Sequence, residues 1–333
     1  MTSIDYEAFC DSRHLQSITL PTALKTIGES AFMKCGLTSI TIPDGVTDMG
    51  DFGVQASSSL TSIIIGNGLA TIPGFWAEHC NNVESVTIGK QVSYIGCRTF
   101  RNCDIKHFYS YAKIPPSCDR EAFVDGGINS TAVLHVYANC VQRYKIADKW
   151  KEFHTIIGDL GTYPTYNVTV NVATTGSFSE ALPAAMTTAG CEDKMDISKL
   201  TVTGNINHDD LAYIRNYLGA YLDTLDLGAV TVYGNYFGDD VLAGCGFEEL
   251  ILPANLQEIN GWSVLANCNN LKTIDIPSSV RRIAPRFLNR ATSLETVTGG
   301  VGVTDMDGEN GMYFDACPNL KSPVILGDIF FIA

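Results

Sequence analysis

Positive charge is scarce in this chain. Of 333 residues, 22 are Lys or Arg and 36 are Asp or Glu, giving a formal net charge of −14. So acidic a chain has no basic footprint for phosphates, which argues against nucleic acid as a partner and against docking on an anionic membrane. Long apolar runs are also missing. The most apolar tail, Val324 to Ala333, is short and broken by Asp328, so no membrane insertion is expected in this segment. Met1 is not followed by a charged stretch and an apolar stretch, the marks of a signal peptide. The chain opens inside a repeat, at Ala8-Phe9 and Cys10, and closes at the strand-like Ser322 to Leu326. The expectation is a segment of a longer protein whose signal and anchor lie elsewhere. G-x-S-x-G, H-E-x-x-H and G-x-x-x-x-G-K-[ST] are absent, and no two of the 36 carboxylates stand out as a glycosidase pair. No enzyme and no cofactor is expected.

What the chain does have is a period. The stretch Leu15 to Cys35, LQSITLPTALKTIGESAFMKC, recurs with starts at Leu37, Leu60, Val83 and Ile105, spaced by 22, 23, 23 and 22 residues. Units of this length bury their apolar face only against one another, which predicts a solenoid. In each unit L-x-S-I-x-L alternates inward and outward as a strand, and Pro21, Pro43, Gly66 or Gly89 stops it. The second half lacks a helical period and reads as an irregular return ending in an aromatic: Phe32, Phe52, Phe75 with Trp76, Phe100, Phe123. Stacked once per unit, these rings predict a buried spine.

Residues 131–157 break the period. A strand at Val133 to Tyr137 is followed by a helix carrying Val141, Tyr144, Ile146 or Ala147, and Trp150, suited to cover the open end of the array. Gly158 to Pro164 reads as a linker. A second module then begins with a strand at Asn167 to Val172, a helix at Ser177 to Ala189, a strand at Leu200 to Thr203, and a helix at His208 to Leu218 with Asn207 as its N-cap. The repeat resumes at Leu222, Phe247, Leu271, Leu294 and Leu320, spaced by 25, 24, 23 and 26 residues. The expected fold class is an α/β solenoid of two tandem leucine-rich arrays, each with a parallel sheet. Small α/β modules close the first and open the second. The domains are 1–158 and 165–333.

The unit L-x-S-I-x-[IL]-P-x-x-[VL]-x-x-I-G-x-x-A-F-x-x-C resembles the repeat of the BspA-like leucine-rich repeat proteins of bacterial surfaces. Leu15 to Cys35, Leu60 to Cys80, Val83 to Cys103 and Leu271 to Ala291 carry the likeness. The segments TAVLHVYANCVQRYKIADKWKEF and LTVTGNINHDDLAYIRNYL resemble modules that close and open such arrays, so the resemblance covers roughly 15–157 and 165–326. It implies a secreted or surface-attached protein, extracellular or on the cell surface. It also implies a non-catalytic adhesive role, with host matrix proteins, other cells or glycans as partners. The family has no shared ligand motif to carry over. A passive spacer and a carbohydrate-binding accessory protein are the alternatives.

Seven of the eleven cysteines (Cys10, Cys35, Cys80, Cys103, Cys245, Cys268, Cys317) fall at one repeat position, where two other rungs place Ser57 and Ala291. A slot that takes Cys, Ser or Ala calls for a small packed side chain. Neighbouring rungs about 5 Å apart nonetheless satisfy the Cα window of a disulfide. Cys97 and Cys103 have no His at zinc spacing, and no metal site is expected there. His79 beside Cys80 imitates a nucleophile pair, but Cys80 occupies the packing slot. Asp305, Asp307 and Glu309 alternate as calcium ligands would. The EF-hand register fails at Asn310 and Ala316, and a solvated acidic loop is the plainer reading.

The outward strand positions remain as a candidate binding face. In the first array they run Ser17/Thr19, Ser39/Thr41, Ser62/Ile64, Ser85/Thr87 and His107/Tyr109. This is a hydroxyl ladder that β-propensity alone would favour, and Ile64, His107 and Tyr109 interrupt it. In the second array Asp226, Glu249 and Asp275 make the same face acidic, which suits a basic partner segment.

Overall fold

The computed structural model describes residues 1–306, 313–321, 324–327 and 329–331. Asp307 and Glu309 of the acidic loop lie outside them. The chain divides into two compact units, Met1–Tyr163 and Pro164–Ala333.

In the first unit the strands are β1 (Ser39–Ile42), β2 (Ser62–Ile65), β3 (Ser85–Ile88), β4 (Ile105–Ser110), β5 (Ile128–His135) and β6 (Thr155–Ile157). They form one parallel sheet in chain order, with Ser39 opposite Ser62, Ser62 opposite Ser85, and Ser85 opposite His107. Burial alternates along each strand. Ile40 and Ile42, Ile63 and Ile65, Val86 and Ile88 are buried, and the residues between them, Thr41, Ile64 and Thr87, face outward. Each buried Ile contributes about 1.5–3 kcal/mol, so the alternation fixes the register.

The return of each unit is more regular than its sequence suggests. It carries a two-residue strand that pairs with its neighbours, as Thr26–Ile27 does with Asp48–Met49, and Thr71–Ile72 with Tyr94–Ile95. A turn with two left-handed residues follows. Ser30 and Lys34, Phe52 and Ala56, Phe75 and His79, Arg98 and Asn102 all have φ between 53° and 62°. Such φ values are costly for non-glycine residues. Here the inter-rung hydrogen bonds hold them: Ser30, Phe32 and Lys34 donate their N–H groups to the carbonyls of Asp51, Gly53 and Gln55.

The spine differs from its expectation in the middle rungs. Phe32, Phe100 and Phe123 are buried in it, and Phe100 stacks on Phe123 at 5.6 Å. Hydrogen-bond register puts Val54 and Ala77 at the matching positions. Phe52 and Phe75 lie two residues earlier, half-buried, stacked on each other at 5.2 Å. Trp76 fills the interior beside Ala77, and only a glycine fits beneath it: a Cβ on Gly53 would lie 2.0 Å from Trp76 Nε1.

The closing helix is short. α1 covers only Val141–Ile146, because Ala147 turns extended and Lys149 takes φ 67°. The buried aromatics Tyr144 and Trp150 dock on the last rung, and their polar tips reach its backbone: Tyr144 Oη donates to Ala112 O at 3.0 Å and Trp150 Nε1 to Pro116 O at 2.6 Å. Ile146, expected on the covering face, is 60% exposed. The segment read as a linker packs onto this unit as far as Tyr163, which is buried edge-on against Tyr137 at 5.1 Å.

The second unit opens with β7 (Tyr166–Val172), α2 (Phe178–Thr188), β8 (Ile197–Ile206) and α3 (His208–Tyr217). β9 (Thr224–Val232), β10 (Glu249–Ile251), β11 (Thr273–Ile276) and β12 (Thr296–Gly299) follow, and β7 to β12 form a six-stranded parallel sheet in chain order. Asn207 caps α3 reciprocally with Asp210. The same Asp210 carboxylate, 2% exposed, also accepts from Gly176 N at 2.8 Å and Phe178 N at 2.9 Å, tying the start of α2 to the start of α3. Of the strand-like Ser322 to Leu326, Ser322 and Pro323 lie outside the described residues, and Val324–Leu326 pairs antiparallel with Ile329–Phe331.

Candidate binding surface

Two outward ladders run across the first sheet. One carries Ser39, Ser62, Ser85 and His107, the other Thr41, Ile64, Thr87, Tyr109 and His135. Ile64 is 42% exposed and lines a shallow groove with Thr41, Pro43 and Asp44. Across three strands the face offers only short side chains. At β4 and β5 its character changes.

There, three planar groups stack in sequence. Tyr109 lies over His135 at 4.2 Å and 14°, and His107 packs beside both, 5.3 Å from His135 and 6.4 Å from Tyr109. His135 Nδ1 is 2.8 Å from Asp159 Oδ2, and His135 Nε2 is 3.0 Å from His107 Nδ1. The carboxylate only accepts, which assigns the protons on neutral rings. His135 Nδ1 donates to Asp159, and His107 Nδ1 donates to His135 Nε2. His107 Nε2 keeps its lone pair on an exposed ring. His135 itself is only 8% exposed. Tyr111 and Tyr137 meet edge to face at 5.8 Å and extend the patch along the strands. Sequence reasoning places His107 and Tyr109 on this outward face and leaves out His135, Tyr111, Tyr137 and Asp159, which the structure sets beside them. The signal was the same alternation, continued through Tyr111 and onto β5. Residues 133–137, taken by sequence as the strand of the closing element, lie on that continuation.

On the second sheet Asp226 stands opposite Thr201 and Ile251, Glu249 opposite Thr224 and Thr273, and Asp275 opposite Thr298. Each carboxylate is already held. Gly228 N donates to Asp226 at 3.0 Å, Thr224 Oγ1 to Glu249 at 3.2 Å and Thr298 Oγ1 to Asp275 at 2.7 Å. These bonds orient the charges without cancelling them. Glu249 and Asp275 line a groove with Ile251, which is 38% exposed. The chain thus sets one isoleucine on the second outward ladder of each array.

The cysteine slot is a hydrogen-bonded packing position. None of the eleven cysteines, all among the described residues, is joined in a disulfide. Cys35, Cys80, Cys103 and Cys268 donate to the carbonyls of Phe9, Val54, Ala77 and Leu242 at 3.0 to 3.4 Å. Ser57 does the same to Phe32 O at 3.2 Å. Burial pushes the Cys80 and Cys268 thiols up to about 12. His79 does not activate Cys80; its Nδ1 meets Asn102 Nδ2 at 2.9 Å on the outside of the rung. Among the described residues no group of three or more His, Cys, Asp or Glu is placed to hold a metal ion, and no helix is long and apolar enough to cross a membrane.

Among solved structures, the chain is similar to a leucine-rich repeat protein from Bacteroides ovatus. The two are 17% identical with a TM-score of 0.29, over 96% of this chain and 69% of that one. It is also similar to a leucine rich cell surface protein from Faecalibacterium prausnitzii. Here the identity is 16% and the TM-score 0.29, over 96% of this chain and 82% of that one. No curated protein matches. The BspA type leucine rich repeat region matches in six copies, over residues 2–125 and 227–332. These two stretches make up more than half of the chain, and with the rung-by-rung stacking seen in both units they make this protein a member of the BspA-type leucine-rich repeat family.

Proposed function

We propose that this chain is a non-catalytic recognition module of the cell surface or extracellular space, an adhesin that takes proteins or glycans of a host matrix or of other cells on its strand faces. The observation that carries the reading is the change in the first sheet at β4 and β5. A ladder of small hydroxyls gives way to His107, Tyr109, Tyr111, His135 and Tyr137, rigid amphipathic side chains of the kind that anchor interfaces at low entropic cost. Ile64 extends an apolar contact toward the other edge. On the second sheet Asp226, Glu249 and Asp275 favour a basic partner segment, with binding that weakens as salt rises.

The test is binding of the purified chain to arrayed matrix proteins and glycans at low and physiological salt. The reading expects a saturable partner at physiological salt whose affinity falls at least tenfold in Tyr109→Ala, or in Asp275→Asn if the second face is used. A panel with no saturable partner would leave the chain a spacer.

A further inference from the structure

We propose that His107 and His135 form an open binding site for a divalent transition-metal ion on the outer face of β4 and β5, with Asp159 as the carboxylate behind the second imidazole. The strands hold His107 Nδ1 and His135 Nε2 3.0 Å apart. Two metal–nitrogen bonds of about 2.0–2.1 Å meeting at a tetrahedral angle span about 3.3 Å, so an opening of a few tenths of an ångström admits one ion between the rings. Binding changes no net charge on the protein. The proton on His107 Nδ1 passes through solvent to its own Nε2, the ring stays neutral, and both facing nitrogens present lone pairs to the ion.

The second imidazole is already prepared for this. Asp159 accepts from His135 Nδ1 at 2.8 Å, which fixes the tautomer that leaves Nε2 free to coordinate. Tyr109, stacked on the His135 ring at 4.2 Å, stops it from rotating away. The ring is 8% exposed, so little of its orientation is lost to solvent motion. The site has two protein nitrogens, below the three that define an enclosed cluster, and none such exists among the described residues. Two or more coordination positions therefore remain with water on the exposed side of His107. Imidazole selects zinc, copper or nickel over calcium or magnesium. The buried slot thiols Cys80 and Cys268, each bonded to a rung carbonyl, are poor competitors. This site stands whatever partner the face takes, and an ion held there offers its open positions to a partner's carboxylate or imidazole.

The experiment is a zinc titration of the full-length reduced chain, read by calorimetry and by histidine ¹⁵N shifts. The expected result is one ion per chain, with His107 Nδ1 and His135 Nε2 moving together and no response to calcium. Asp159→Asn should weaken zinc by about 10–100-fold while both nitrogens still respond. His107→Gln, with an unchanged circular dichroism spectrum, should weaken it at least tenfold. Zinc that binds the His107→Gln/His135→Gln variant as tightly as wild type would overturn the proposal. So would ¹⁵N shifts at these two rings that stay fixed at millimolar zinc, a readout that needs no variant and is independent of folding.

Discussion

At the scale of single residues, the cysteine slot shows how a repeat position can be chemically conspicuous and functionally plain. The interior leaves room for a small side chain with one donor, aimed at a carbonyl of the preceding rung. Cys, Ser and Ala all meet or nearly meet that requirement, as Cys80, Ser57 and Ala291 do. Burial has a consequence at alkaline pH. Cys80 ionises at about 12 in the folded chain, against an ordinary value of 9.0. Its neutral thiol contributes fully below pH 9. Above that the unfolded chain gains from releasing the proton, and the contribution is lost as pH rises toward 12. Cys80→Ala should therefore be less stable than wild type at pH 7, by about 1–2 kcal/mol for the lost volume and bond. The gap should close between pH 9 and 12, because the linkage available to wild type amounts to at most about 4 kcal/mol. Urea unfolding of both chains at pH 7, 9 and 10.5 measures it. A constant gap would mean that the thiol is solvated in the folded state.

At the scale of elements, the strands were the most legible part and the returns the least. A period of two, with Ile or Val at the inward positions, is carried by each strand's own residues, so burial follows it in β1 to β3. The returns are held by hydrogen bonds to residues about 22 positions away, as Lys34 N to Gln55 O, and such bonds leave no local pattern. That is why the left-handed pairs and the displacement of Phe52 and Phe75 from the spine were not foreseen. The candidate face divides the same way. His107 and Tyr109 were visible on an outward ladder, whereas Asp159 joins them only through His135, across residues 135–159. Asp210 is an intermediate case. Its place in the first turn of α3 was readable, but its grip on α2 was not. The carboxylate accepts from the N–H groups of Asn207, Gly176 and Phe178, the last two more than 30 residues away. Asp210→Ala should therefore destabilise the second unit by about 3 kcal/mol or more, since each bond to a buried charged acceptor carries about 1.5–3 kcal/mol. Its neighbour Asp209 lies in the same first turn but is exposed to solvent, and Asp209→Ala should cost under about 1 kcal/mol. Chemical denaturation of the two variants compares them directly. Equal losses would reduce Asp210 to an ordinary first-turn charge.

At the scale of the whole chain, the cores are separate. Each unit has its own continuous cluster of buried residues, one from Ile4 to Tyr163 and the other from Val168 to Leu326. Each array also joins elements outside the plain repeat at one end: α1, Trp150, Phe153 and β6 in the first, β7, α2, β8 and α3 in the second. A solenoid rung is stabilised by its neighbours alone, so an array with its own core and a built closure needs nothing from the next array to fold. The two halves, 1–163 and 164–333, should then fold independently. Each expressed alone should give the far-UV signature and the cooperative urea transition that it shows within the full chain, with midpoints agreeing to within a few tenths of a molar. The cut matters. Ending the first half at 158 removes Tyr163 from Tyr137 and Asp159 from His135. The shorter fragment should unfold at lower urea and lose the stacked His135–Tyr109 arrangement, visible as a change in near-ultraviolet dichroism. If 1–163 collapses without a cooperative transition while the full chain has one, the two units are a single folding unit and the closure at α1 is not sufficient. If 1–158 and 1–163 behave alike, the last five residues are the linker that their composition suggested.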